Sequence, residues 1–142
     1  MKSFLVLFCV VAFASAILEV DELRKMVTDP LVSARLKILD DSDYTPRSQI
    51  QQQLNEIVQG LSPEVQQAYQ AILQAEQSEE SYKQQARINY LRNSGAPEEA
   101  VNMQQQIYNI KNDYSLSKAE AKAQIRNLLM GSTWSVRPYL DD

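Results

Sequence analysis

The sequence predicts an all-helical domain of two duplicated helix–loop–helix units bridged by a long helix, and three observations carry that prediction. The first is composition: three glycines in 142 residues, with abundant Gln, Ala, Leu and Glu, favour helices over strands. The second is punctuation. Asp29-Pro30, Thr45-Pro46 and Ser62-Pro63 each set a capping side chain before a proline, whose missing N–H would be unpaired in a first helical turn anyway. The third is a register: laid over itself with an offset of 71 residues, the chain superposes apolar positions without a gap.

Taken in order, residues 1–16 read as a signal peptide. Lys2 supplies a basic start, residues 4–13 an apolar stretch and Ala14-Ser15-Ala16 a small-x-small site, so cleavage is expected after Ala16. The apolar stretch is shorter than the roughly 20 residues that span a bilayer, and no later stretch approaches that length. Residues 17–142 are therefore expected as a single secreted, extracellular domain with no transmembrane segment. Helices are expected at 18–27, 30–40, 46–59, 63–92, 97–112 and 118–130, with a short turn from Trp134. Ala96-Pro97 repeats the proline without the cap, and Ser117-x-x-Glu120 has capping-box spacing. Gly60, Gly95 and Gly131 stand where helices should stop, the usual place for a left-handed residue. The apolar stripe of the helix from Pro63 (Val65, Tyr69, Ile72, Leu73) lapses over 76–81 and resumes at Tyr82, Ala86 and Tyr90. A continuous helix with a solvated middle is the expectation, and a break into two helices is the alternative.

The offset gives the architecture. Val32, Leu36 and Leu39 fall on Met103, Ile107 and Ile110, while Ile50, Leu54, Ile57 and Val58 fall on Ala121, Ile125, Leu128 and Leu129. Gly60 meets Gly131, Val65 meets Val136 and Tyr69 meets Leu140. Two amphipathic hairpins with similar loops would also align, but the shared glycine and ungapped register favour a duplication. Two such units packed face to face would share one core of Leu and Ile.

Absences narrow the chemistry. There is no histidine, and the one cysteine, Cys9, leaves with the signal peptide. Ser-His and Cys-His nucleophiles are thereby excluded from the processed chain, and zinc or copper sites are disfavoured. A disulfide-free secreted domain must rest on helix packing alone. A formal charge of −4 without a basic stripe argues against nucleic acid. No glycine-rich phosphate loop is present, and no enzymatic activity is expected.

What remains is coordination of a hard cation by oxygen. Residues 40–45 (Asp40-Asp41-Ser42-Asp43-Tyr44-Thr45) concentrate three carboxylates, and the counterpart Asn112-Asp113-Tyr114-Ser115 keeps one. Mg2+ and Ca2+ take such ligands, although a standard calcium loop started at Asp41 would place Pro46 at its glycine and Gln52 at its glutamate. The other reading makes these acids plain helix-end residues. A second constellation is aromatic: Tyr82, Tyr90, Tyr108, Trp134 and Tyr139. Tyr82, Ala86 and Tyr90 share a helical face, which could line a groove for an apolar small molecule such as a fatty acid, or for an extracellular protein's helix; the plainer expectation is core. The glutamine runs 51–53 and 104–106 read as solvated faces.

Several stretches are similar to the nematode SXP/RAL family of small secreted antigens. Residues 35–41 (RLKILDD), Thr45-Pro46, residues 54–58 (LNEIV) and residues 61–65 (LSPEV) resemble the family's first helix, acidic loop and second helix. Residues 110–117 (IKNDYSLS) and Ser135-Val136-Arg137 resemble its closing signature. The resemblance implies a helical arrangement like that of calcium-binding helix–loop–helix pairs without standard loops. It also implies an affinity for Mg2+ or Ca2+, with Asp41, Asp43 and Asp113 as the ligands carried over.

Overall fold

The computed structural model describes residues 18–140, so the expected signal peptide and Cys9 lie outside the described residues. Six α-helices follow one another: α1 (Val20–Met26), α2 (Pro30–Asp40), α3 (Arg47–Gln59), α4 (Pro63–Asn93), α5 (Glu98–Lys111) and α6 (Lys118–Met130). A 3₁₀ turn at Arg137–Tyr139 is the last element among the described residues. Among the described residues there is no β-strand, and no helix is long and apolar enough to cross a membrane.

Local chemistry explains the helix starts. The Asp29 carboxylate accepts from the Leu31 amide at 2.8 Å, and the Ser62 hydroxyl accepts from the Val65 amide, each with proline in the first turn. Ser117 and Glu120 form the full reciprocal box: the Glu120 amide donates to the Ser117 hydroxyl and the Ser117 amide to the Glu120 carboxylate. Thr45 does not cap α3. Pro46 itself is the residue before the helix, in an extended conformation that serves the loop described below. The glycine expectation also needs correction. Gly95 alone is left-handed, at φ 75°, whereas Gly60 and Gly131 stay right-handed and close their helices with bonds to Ile57 and Asn127 carbonyls.

Helix α4 is continuous through its polar middle, and the core shows why. Val65, Leu73 and buried Tyr69 pack into a cluster built from α1, α2 and α3, including Leu23, Leu36, Ile50 and Leu54. The Tyr69 hydroxyl, whose pKa burial pushes well above its ordinary range, donates to the Leu18 carbonyl at 2.6 Å. Twenty residues on, Ile88 and Leu91 pack with Val101 in a second cluster. Ala100, Met103 and Val136 make a third. Residues 76–81 lie between these attachments and need no apolar stripe. The expected shared core is therefore not what forms: each cluster draws on one half of the chain, and α4 carries the connection. The halves also differ in depth, since α3 buries Arg47, Ile50, Leu54, Ile57 and Val58 while α6 buries only Ala121.

Candidate functional site

The two inter-helix loops meet. Pro46 pairs with Ser117 in an antiparallel bridge, and the two residues stand at the 71-residue offset. The Ser48 amide donates to the Tyr114 carbonyl at 2.9 Å, and at the same offset the Ala119 amide donates to the Asp43 carbonyl at 2.9 Å. The loops thus satisfy each other's backbone across an approximate two-fold axis.

The next residue of each loop carries a positive charge to the other unit. Arg47, 6% exposed, lays its guanidinium against the C-terminal end of α5. Its Nη1 donates to the Lys111 carbonyl at 2.6 Å, Nη2 to Asp113 at 2.8 Å and Ile110 at 3.2 Å, and Nε to Leu116 at 3.2 Å. The Tyr114 ring stacks 5.3 Å from the same guanidinium. Burial lowers the Arg47 pKa, but arginine starts so far above neutrality that the charge stays. Lys118, the counterpart, donates from Nζ to the Asp40 carbonyl and reaches the Asp40 carboxylate at 3.5 Å. Each helix end, where the macrodipole is negative, thereby receives a cation from the opposite unit.

This geometry bears directly on the expected cation ligands. Arg47 already occupies the Ile110, Lys111, Asp113 and Leu116 carbonyls around the second loop. Asp113 is exposed and turned inward on its own loop, its Oδ1 accepting from the Ser115 hydroxyl at 2.6 Å and amide at 3.1 Å. Those bonds hold its carboxyl below the usual range. Asp41 closes α2 through its amide, its carbonyl accepts from the Asp43 amide, and both residues are exposed. Among the described residues no group of three or more acidic, histidine or cysteine side chains is placed to hold a metal ion.

A different feature lies between α4 and α5. A cleft of about 300 Å³ opens there, walled by Lys83, Gln84 and Arg87 on one side and Gln104, Tyr108 and Lys111 on the other. Glu80 and buried Ile107 complete its lining, and Lys83 is paired along α4 with Glu79 at 2.6 Å. Gln84 Nε2 and Gln104 Oε1 are both shielded from solvent and neither has a hydrogen-bond partner. Arg87 Nη2 donates to the Tyr139 carbonyl at 3.1 Å, which ties this wall to the closing turn. Gln104 therefore departs from the solvated-face reading of its run, whereas Gln105 and Gln106 follow it.

The aromatic set scatters. Tyr139 packs on the second and third clusters and Tyr108 lines the cleft. Tyr82, Tyr90 and Trp134 are 76%, 62% and 84% exposed, so the expectation of core fails for the α4 pair. Trp134 stacks under Arg137 at 5.0 Å.

No protein-family model, curated protein or solved structure matches this chain. Sequence reasoning missed Arg47 although its signal was present: a basic residue follows Pro46 and another follows Ser117, at the repeat offset. Gln84 had no such signal, because a glutamine that faces a cleft reads like one that faces water.

Proposed function

We propose that the protein is a secreted, non-enzymatic binding protein that takes a small hydroxylated carboxylate into the cleft between α4 and α5. The observation that carries this reading is the pair of shielded, unpartnered amide atoms, Gln84 Nε2 and Gln104 Oε1, on a cleft lined by three cations. Leaving a buried polar group unpaired costs about 1–3 kcal/mol, which a ligand recovers when both glutamine side chains turn to meet it. Arg87 and Lys111 favour a carboxylate. A ligand hydroxyl, which both donates and accepts, serves either orientation of each amide. The absence of histidine, the single cysteine confined to the expected signal peptide, and the resemblance to the SXP/RAL secretory antigens support the non-enzymatic, extracellular side of the reading.

Isothermal titration with L-malate, with acetate and inorganic phosphate as comparison probes, tests it. Saturable heat from malate that weakens at least tenfold in Lys111→Gln and in Gln104→Leu is the expected result. No saturable heat from malate at millimolar concentration, or equal affinity in both variants, would sink the reading.

A second reading keeps a weak Mg2+ or Ca2+ site on the first loop, favoured by the exposed acids Asp41 and Asp43 standing two residues apart. Titration with either chloride should then give heat that disappears in the Asp41→Asn, Asp43→Asn double variant, and unchanged heat would remove the assignment. A fatty-acid carrier has less support, because charged and amide groups line the cleft and the tyrosines do not gather around it.

A further inference from the structure

The outward face of α4 points to a second copy of this chain as its partner. Eight residues form that face at helical spacing: Ala75, Glu79, Tyr82, Lys83, Ala86, Asn89, Tyr90 and Asn93, and every one of them is exposed. The arrangement is symmetric about Ala86. Four residues to either side stand Tyr82 and Tyr90, three to either side Lys83 and Asn89, and seven to either side Glu79 and Asn93. We infer that α4 pairs with α4 of a second copy in antiparallel fashion, around a two-fold axis passing Ala86.

A two-fold axis makes an interface self-complementary, so residues equidistant from its centre face each other. Tyr82 of one copy then meets Tyr90 of the other, twice, and the small Ala86 pair lets the two backbones approach where the helices cross. Lys83 faces Asn89 of the second copy, whose amide oxygen can accept from the ammonium. Glu79 faces Asn93, whose amide nitrogen can donate to the carboxylate. No like charges are opposed. Within one copy Lys83 already bridges Glu79 at 2.6 Å, so the face is locally neutral although the chain as a whole is acidic. A parallel pairing would instead set Glu79 near Glu79 and Lys83 near Lys83, and loses this complementarity. Four tyrosines brought out of water supply the driving force, since aromatic side chains bury large areas at small entropic expense.

The axis makes the test specific. The full-length coding sequence is expressed for secretion with Cys9→Ser, so that an engineered cysteine is the only thiol whether or not residues 1–16 are removed. Ala86→Cys lies on the axis and should form a disulfide-linked dimer under mild oxidation. Ala75→Cys is on the same face and equally open to solvent, but 11 residues from the axis. At 1.5 Å per residue its two copies stand about 33 Å apart in the antiparallel pair, so it should cross-link at least tenfold more slowly. Adding Tyr82→Ser to Ala86→Cys should slow the cross-link by a similar factor, and circular dichroism of each variant checks that the helices are kept. Sedimentation of the Cys9→Ser chain should show a dimer that weakens on Tyr82→Ser. Cross-linking of Ala75→Cys as fast as Ala86→Cys would overturn the antiparallel pairing. A chain that sediments as a monomer up to millimolar concentration, with no cross-link at Ala86→Cys, would overturn self-association and leave the face for a foreign protein.

Discussion

Arg47 and Lys118 hold equivalent places in two paired loops, yet they do different amounts for the helices they reach. Arg47 is buried and meets four carbonyls at the end of α5, while Lys118 is about one-third exposed and meets one carbonyl and one carboxylate at the end of α2. The chemistry of the two groups accounts for this. A guanidinium presents five donors in a fixed plane, whereas an ammonium is a point charge on a mobile stem. The helices they serve differ in the opposite sense. The first half buries nine apolar residues in one cluster, so α2 and α3 are secured by packing. The second half buries eight, two of them alanines, but they are divided: two clusters of three, with Ile107 and Ala121 outside both, and Ile125, Leu128 and Leu129 of α6 only half-buried. The half with the divided core thus receives the stronger polar clamp, and receives it from the other half.

The comparison can be broken most sharply at the clamp. Arg47→Ala should destabilise the protein by about 3 kcal/mol in urea unfolding, because it strips the partner from several shielded carbonyls at once. Lys118→Ala should cost about 1 kcal/mol. Arg47→Lys should recover less than half of the alanine loss, since an ammonium cannot reproduce the fork. Equal losses for the two alanine variants would remove the asymmetry. Packing gives the next contrast: Leu54→Ala, at a site 1% exposed, should cost about 3 kcal/mol by opening a cavity. Its counterpart Ile125→Ala, half-buried, should cost about 1 kcal/mol.

Much of this was legible in the sequence. Proline caps at Asp29 and Ser62, the box at Ser117 and Glu120, and the uninterrupted α4 all follow from local rules that need no distant partner. The residues that pair, Pro46 with Ser117, stand at the 71-residue offset, but the offset by itself did not say that they meet. Burial of polar groups was not legible. Arg47 looks like an ordinary first-turn residue until a segment more than sixty residues away supplies its carbonyls. Helical spacing showed that Tyr82 and Tyr90 share a face but not whether anything covers it, so the expectation of core went astray. Gly60 and Gly131 misled for a similar reason. A glycine permits a left-handed turn without requiring one, and a Cβ at either position would meet nothing closer than 3.4 Å.

Two smaller effects sharpen the loop comparison. Ser117→Ala removes one side of the capping box that starts α6, and should cost about 1 kcal/mol. In the same loop, Ser115 holds the Asp113 carboxyl below its ordinary value of 3.8. A carboxyl whose folded pKa is depressed contributes stability that is present above the unfolded value and lost as pH falls through the folded one. Ser115→Ala should therefore lower the urea midpoint slightly at pH 6 and approach the parent as the pH falls toward 2. A difference that persists unchanged at pH 2 would assign the effect to the Ser115 hydroxyl alone.

Residue-by-residue amide hydrogen exchange of Arg47→Ala against the parent, under native conditions, tests the dependence of the second half on the first most directly. The clamp predicts that amides in α5 and α6 lose protection while those of α2 and the interior of α3 keep theirs. Uniform loss over all six helices, or loss confined to α2 and α3, would contradict it.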